Sequence, residues 1–302
     1  MKTFKILSFD GGGIRGALSI EILYRLTIKY PNLLDEIDLF TGTSTGSIIA
    51  ALLANGHSVN EIRHLYSIPV AKKIFSPSRL NLFKPKFSNE NLKEIIGSYF
   101  LEDFKMKDIK RKILIPSFDI NSEKKHSWKP IFFNNFYDTT TSNIDVRDAV
   151  LASSSAPTYF QSHESYIDGG VVANSPTALS LCLAYSTYKS KYKLDDFRIL
   201  SIGAGDIPNR IKGKNKNWGL IQWAINPLTL SSPLLSLVMD GMSDLETFYC
   251  SELLNKGFHR INPKVFKLVS LSEYKYIPYL KSLATNYDLS STYDFIENSF
   301  LK

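Results

Sequence analysis

Ser44 stands at the centre of "GTSTG", residues 42–46, the pattern of a nucleophile carried on a sharp strand-to-helix turn. The preceding "EIDLFTG" reads as a strand and the following "STGSIIAALLANG" as a helix, so the setting suits such a turn. Gly42 and Gly46 remove side chains where strand and helix come together, and the helix directs its first amides toward charge developing beside Ser44. A serine nucleophile also needs a proton acceptor and a cradle for the oxyanion. In "DGGGIRG", residues 10–16, three successive glycines expose backbone amides at a helix start, a nest suited to an anion. In "YIDGGVVANSP" an apolar run delivers Asp168 to a strand end, and Gly169 and Gly170 turn the chain away, leaving the carboxylate free to approach another loop. Placed against Ser44, that carboxylate could itself accept the proton, giving a two-residue dyad.

Other chemistries use the same residues. Gly11, Gly13 and Gly16 fit Gly-x-Gly-x-x-Gly, the fingerprint of a dinucleotide site. Such a site wants an acidic residue at the far end of the second strand to hold ribose. Here Asp38 lies before or at the start of that strand and GTSTG occupies its end, so an oxyanion hole is the more natural use of the nest. The histidines are His57, His64, His126, His163 and His259, none in a motif that announces catalysis. Ser44, Asp168 and His259 have the chain order of an α/β-hydrolase triad, but that fold builds several strands before its nucleophile, and "GFHRIN" reads as a strand start. The triad esterase, a dinucleotide-binding oxidoreductase and a non-catalytic lipid-binding protein stand as alternatives to a dyad hydrolase.

The elements that must position these residues alternate along the chain. "FKILSF" reads as a strand and "RGALSIEILYRLTIKY" as a helix; Gly56 closes the helix after Ser44, and Ser58 with Glu61 has the spacing of a capping box. "RKILIPSFDI" and "WKPIFFNN" form an expected antiparallel excursion, "DVRDAVLASSSAP" a helix ended by Pro157, "TALSLCLAYSTY" a helix begun at Pro176, and "FRILSIGAG" a further strand. This alternation predicts the α/β class, a mainly parallel central sheet with helices on both faces. With 302 residues, 44% hydrophobic, and no evident linker or repeat, the chain reads as a single domain over 1–302. Cys182 and Cys250 are far apart and have no ligand spacing, so neither a disulfide framework nor a zinc site is expected, and a reducing cytoplasmic compartment fits. The N-terminal apolar run is too brief for a secretory signal. The charge-free stretch Asn217–Met239, broken by Pro227 and Pro233, is expected to form buried core or the wall of an apolar pocket rather than a membrane span. The net charge of +7 comes from scattered lysines and predicts a solvated surface, with no nucleic-acid polymer as partner.

With DGGGIRG, GTSTG and DGG in that order, the sequence resembles the patatin-like phospholipase family. "ASSSAPTYF" at 152–160 is similar to the family's stretch before its catalytic aspartate, and "LFKPKFSNENLKEII" to its middle region. The likeness covers roughly residues 4–210, and 211–302 carries no matching motif and is expected to complete the domain. What the resemblance implies is a three-layer α/β/α acyl hydrolase in which Ser44 is the nucleophile and Asp168 the base, without histidine. It also implies that Gly11, Gly12, Gly13 and Arg15 form the oxyanion and phosphate-binding element, with Gly16, Gly42, Gly46, Gly169 and Gly170 as motif glycines. The implied substrate is a phospholipid or other lipid ester, cleaved in the manner of a phospholipase A or lysophospholipase, with no cofactor or metal. A soluble enzyme acting on such a substrate is expected to touch the inner membrane surface peripherally. Some bacterial members are switched on by a signalling nucleotide, although no motif here establishes that control. The expected membrane contact is "SRLNLFKPKF", where Leu80, Leu82, Phe83 and Phe87 are interleaved with Arg79, Lys84 and Lys86.

Overall fold

A computed structural model describes residues 3–78, 83–122, 127–137, 139–208, 216, 218–224 and 233–302. Along the chain run β1 (Phe4–Phe9), α1 (Gly16–Lys29), β2 (Leu39–Gly42), α2 (Thr45–Ala54), α3 (Val59–Leu65), α4 (Ile68–Ile74), α5 (Glu90–Gly97), β3 (Lys112–Ser122) and β4 (Ser127–Asn134). There follow α6 (Val146–Ser154), β5 (Tyr166–Asp168), α7 (Gly170–Ala173), α8 (Thr177–Tyr188), β6 (Phe197–Ile202), α9 (Leu220–Ala224), α10 (Pro233–Leu254), β7 (Phe258–Ile261), α11 (Ile277–Asn286) and α12 (Ser290–Phe295).

Every residue of β1 is buried, as a parallel strand covered on both faces requires. It pairs in parallel with β2 on one side and β6 on the other, and the sheet order is β4-β3-β2-β1-β6-β7. The β2–β3 and β6–β7 pairs are also parallel, while β4 and β5 run antiparallel to β3. Side chains alternate between two cores. Leu7 and Phe9 of β1 with Leu200 and Ile202 of β6 pack under α1, α2 and α6. Phe4 and Ile6 with Phe197 and Ile199 pack against Leu181 of α8 and Cys250 of α10. The fold is therefore the expected three-layer α/β/α arrangement.

The local signals around α2 and α3 are realised: Gly56 has φ 93°, and Ser58 and Glu61 form a reciprocal capping box. "DGGVVAN", read as a turn, instead winds into the short helix α7 directly after Asp168. The motif-free C-terminal part enters the same sheet through β7, and α11 lies against α1, where Arg25 donates to the carbonyls of Ala284 and Tyr287 at 2.6 and 2.7 Å. Among the described residues no helix is long and apolar enough to cross a membrane.

Candidate active site

The turn that carries Ser44 is forced by close approach. A side-chain carbon on Gly42 would fall on the carbonyl of Gly46, and one on Gly46 would fall on the carbonyl of Phe9, so β2 and α2 can meet only with glycine at both places. Between them Ser44 takes φ 54° and ψ −122°, a strained conformation for a residue with a side chain, costing about 1–3 kcal/mol. Its surroundings hold it there. The Ser44 amide donates to Ser153 Oγ at 3.0 Å, the Thr43 hydroxyl donates to the Ala173 carbonyl at 2.5 Å, and the Ser44 carbonyl accepts the Ser47 amide at 2.9 Å.

Asp168 arrives by sheet topology. The long strand β3 pairs β2 through Leu114 and Thr41, then, further along the same edge, pairs β5 through Ser117 and Asp168. Because β2 runs with β3 and β5 runs against it, the two strands point at each other and their C-terminal ends converge. The gap from Leu114 to Ser117 spans about 10 Å at roughly 3.3 Å per residue, and the chain from Thr43 to Ser44 turns into it. The Asp168 carboxyl group is 1% exposed; its Oδ1 accepts the Gly170 amide at 2.8 Å, and its Oδ2 has no hydrogen-bond partner. Burial pushes its pKa up to about 7 from the ordinary 3.8, against smaller downward pulls from the Ser44 hydroxyl and the Gly170 amide. Ser44 thus lies within interaction range of a carboxyl group whose second oxygen is unsatisfied. The pair lacks a hydrogen bond of ordinary geometry, a looseness common at catalytic pairs without substrate.

The glycine nest stands beside the same serine, since a side-chain carbon on Gly11 would lie 3.4 Å from Ser44 Cβ. Its amides are not equivalent. The Gly11 amide is occupied by the Asn174 carbonyl at 2.9 Å, and the Ile14 amide by the Leu271 carbonyl at 3.0 Å. Among the described residues the amides of Gly12, Gly13 and Thr45 donate to no protein group. The Gly12 carbonyl accepts the Arg15 amide at 3.1 Å and Arg15 Nε at 3.2 Å. Because a peptide unit is planar and trans, anchoring that carbonyl points the Gly13 N–H the opposite way. Gly13 has φ 57°, where glycine is unstrained. Arg15 is half-buried and also reaches the Gly205 carbonyl at 3.4 Å; burial lowers its pKa, with Asp240 and Asp10 opposing.

Behind the nest, Asp10 is gripped by both arms of Arg260, with Nη1 to Oδ1 at 3.1 Å and Nη2 to Oδ2 at 2.5 Å. Burial disfavours the charged guanidinium, but Asp10 together with Asp244 and Asp206 outweighs it and the Arg260 pKa is raised. Arg260 lies in "FHRIN", a run read only as a strand start, so this member of the site was not anticipated.

Two cavities flank the nest. One, of about 630 Å³ with its mouth, is apolar and begins at Ser44 and Thr45, continuing past Ile48, Phe75, Ile95 and Phe160. The other, of similar size, is polar and is lined by Gly11, Arg15, Asn174 and several aspartates. The apolar wall comes mainly from α2 to α5, with Ile14, Phe160 and Ile277 of α11. Among the described residues none of the Asn217–Met239 stretch lines the cavity; Pro233 and Met239 of that stretch are buried, and Asn217 and 225–232 lie outside the described residues. Within the expected membrane loop, Phe87 is 2% exposed and packs on Phe75 and Phe160, whereas Phe83 is 96% exposed; Arg79, Leu80 and Leu82 lie outside the described residues.

The remaining candidates are not brought to Ser44. His259 Nε2 pairs with Thr292 Oγ1 at 3.0 Å and its ring stacks on Phe295, which assembles no triad with Asp168. His163 pairs with Asp148 at 2.9 Å, and His126 lies outside the described residues. Asp38, the nearest acidic residue to the ribose position of a dinucleotide site, precedes β2 and accepts the Lys5 amide at 2.8 Å. Among the described residues no group of three or more His, Cys, Asp or Glu side chains could hold a metal ion.

Comparison with known proteins adds to this geometry. The family model described as patatin-like phospholipase matches residues 7–181. Protein teg of Priestia megaterium is 30% identical over 99% of this chain and 100% of its own length. A cGAMP-activated phospholipase of Escherichia coli is 35% identical over 66% of this chain and 61% of its own. Patatin-like protein 3 of Arabidopsis thaliana is 28% identical over 82% and 69% respectively.

Proposed function

Since the chain belongs to the patatin-like phospholipase family and is in general terms a lipid acyl hydrolase, we propose that it cleaves carboxylic esters of phospholipids through a Ser44–Asp168 dyad. Asp168 takes the Ser44 proton as Oγ bonds to the ester carbonyl carbon. The oxyanion so formed meets the amides of Gly12, Gly13 and Thr45, those that no protein group occupies. As the carbon–oxygen ester bond breaks, Asp168 returns the proton to the departing alcohol, leaving an acyl-serine. Water then attacks the acyl carbon, gives its proton to Asp168, and releases the fatty acid as the proton passes back to Ser44. The apolar cavity that begins at Ser44 suits the acyl chain.

The observation that carries this reading is the unpartnered Asp168 Oδ2 beside a serine held on a strained turn. A carboxyl group with a pKa near 7 is matched to accepting and returning a proton at neutral pH. Residues 1–302 act as one domain in this proposal, because the C-terminal part supplies Arg260 to Asp10 and the Leu271 carbonyl to the nest. The enzyme works in the cytoplasm and meets the inner membrane surface peripherally, a contact favoured by the exposed Phe83 and by Leu237, Leu245 and Phe248 on the outer face of α10. The test is fluorophosphonate labelling of wild type and Ser44→Ala in one gel, with ester turnover measured alongside. Labelling or turnover retained by the purified variant would refute the dyad. Nucleotide activation, for which the Escherichia coli relative is named, is examined in the same assay by adding the cyclic dinucleotide.

A further inference from the structure

Resting on the acyl-hydrolase reading, we infer that the apolar cavity takes an acyl chain bearing a hydroxyl close to its ester end, a 3-hydroxyacyl ester, and that Ser154 is the side chain that receives that hydroxyl. Among the described residues four polar side chains stand in the otherwise apolar lining: Ser44, Thr45, Tyr66 and Ser154. Three of them are engaged. Ser44 is the nucleophile of the reading above. The Thr45 and Tyr66 hydroxyls bond each other at 2.5 Å, and Tyr66 also donates to the Thr45 carbonyl at 3.1 Å. Ser154 is 6% exposed, and its hydroxyl has no hydrogen-bond partner.

The neighbouring serines show that a bond was available to each of them. Serines stand at 153, 154 and 155, where α6 ends. Ser153 Oγ accepts the Ser44 amide at 3.0 Å, and Ser155 Oγ turns back to the Leu151 carbonyl at 2.8 Å, the bond a serine ordinarily makes in a helix. Ser154 makes neither kind of bond. A buried hydroxyl left unpaired costs stability that alanine at 154 would not. A hydroxyl brought in along the cavity complements it in either sense, because each hydroxyl both donates and accepts. The depth of the contact follows from the same helix end. Ser153 touches the backbone of the nucleophile, and the next Cα lies only about 3.8 Å further on. Ser154 therefore stands beside the first carbons beyond the ester carbonyl rather than beside the tail of the chain. The C3 position is the first whose substituent clears the carbonyl and its oxyanion cradle.

The experiment reads binding and turnover separately. Ser44→Ala protein is titrated calorimetrically with methyl 3-hydroxyhexanoate and with methyl 6-hydroxyhexanoate, isomers that dissolve as monomers and differ only in where the hydroxyl sits. The 3-hydroxy ester should bind more tightly, and adding Ser154→Ala should shrink that preference on the order of fivefold, the scale of one neutral hydrogen bond. In protein that keeps Ser44, Ser154→Ala should reduce by the same factor the kcat/KM for the 3-hydroxy ester relative to its isomer. Because each ratio is taken within one protein, a general loss of folded or active material cancels. Equal affinity for the isomers, a preference for the 6-hydroxy ester, binding of neither, or a ratio unmoved by Ser154→Ala would overturn the inference while ester hydrolysis persists. A wild type that hydrolyses no ester and takes no fluorophosphonate label would instead bring down the reading beneath it, and the binding ratio would still judge Ser154.

Discussion

Asp168→Asn should raise stability at alkaline pH while removing turnover. The buried carboxyl group holds its proton to about pH 7 when folded and to about 3.8 when exposed. Between those values the native state binds more protons than the unfolded one, so its stability falls as pH rises. The contribution is fully present below the unfolded value and is lost as pH climbs through about 7. Asparagine keeps the oxygen that accepts the Gly170 amide and cannot ionise. At about 1.4 kcal/mol per pH unit, the variant should gain on wild type by about 3 kcal/mol between pH 5 and pH 8. Any fixed cost of fitting the amide cancels in that difference. The assay is denaturant unfolding of both proteins at pH 5, 6, 7 and 8, paired with initial rates on a soluble ester. The rate of wild type should rise through pH 7 as the base ionises, and the variant should lose at least about a hundredfold. Parallel stability profiles would show that Asp168 is not the neutral buried acid described, and a variant retaining wild-type turnover would remove it from the chemistry.

The strained turn gives a second contrast: Ser44→Gly should be about 1 kcal/mol more stable than Ser44→Ala in chemical denaturation, since only glycine relaxes at φ 54°, with both inactive. Arg260→Met should cost about 3–5 kcal/mol by stranding the Asp10 carboxylate, and adding Asp10→Asn should restore part of it, a coupling read from a double-mutant cycle. Ile48→Trp, one helical turn beyond Ser44 in the apolar cavity, should depress hydrolysis of sixteen-carbon acyl esters by about tenfold relative to four-carbon ones; an unchanged ratio would show that the chain lies elsewhere. Phe83→Ser should weaken vesicle binding without changing unfolding, whereas Phe87→Ala should cost about 3–5 kcal/mol of stability, the pattern expected of one exposed and one core ring.

What the sequence disclosed and what it concealed divide by the kind of group involved. Ser44, Asp168 and the glycines stand out in the sequence because the jobs proposed for them require particular residue types at local spacings: a hydroxyl between two glycines, or consecutive residues without side chains. The three-layer fold was legible for a related reason, since β1 and β6 are continuous apolar runs between helical stretches, which only a sheet covered on both faces accommodates. The meeting of Ser44 and Asp168 was not. It depends on β3 running 11 residues, past the end of β2, so that a three-residue strand can approach from the opposite direction. The longest uncharged stretch was open to two readings, core or cavity wall, because both use the same residue types and only the space left between helices distinguishes them. Phe87 shows the same ambiguity, an aromatic among lysines that sits in the core. The C-terminal third was silent for the deepest reason. It steadies the nest with one arginine, 250 positions from the carboxylate it pairs, and with the Leu271 carbonyl, which any residue would provide. A backbone group leaves no mark in composition, and a lone ion-pair partner has no spacing to betray it. The lack of a motif in 211–302 therefore reflects the kind of work that segment does, holding other groups in place, and a search for catalytic patterns passes over residues of this kind.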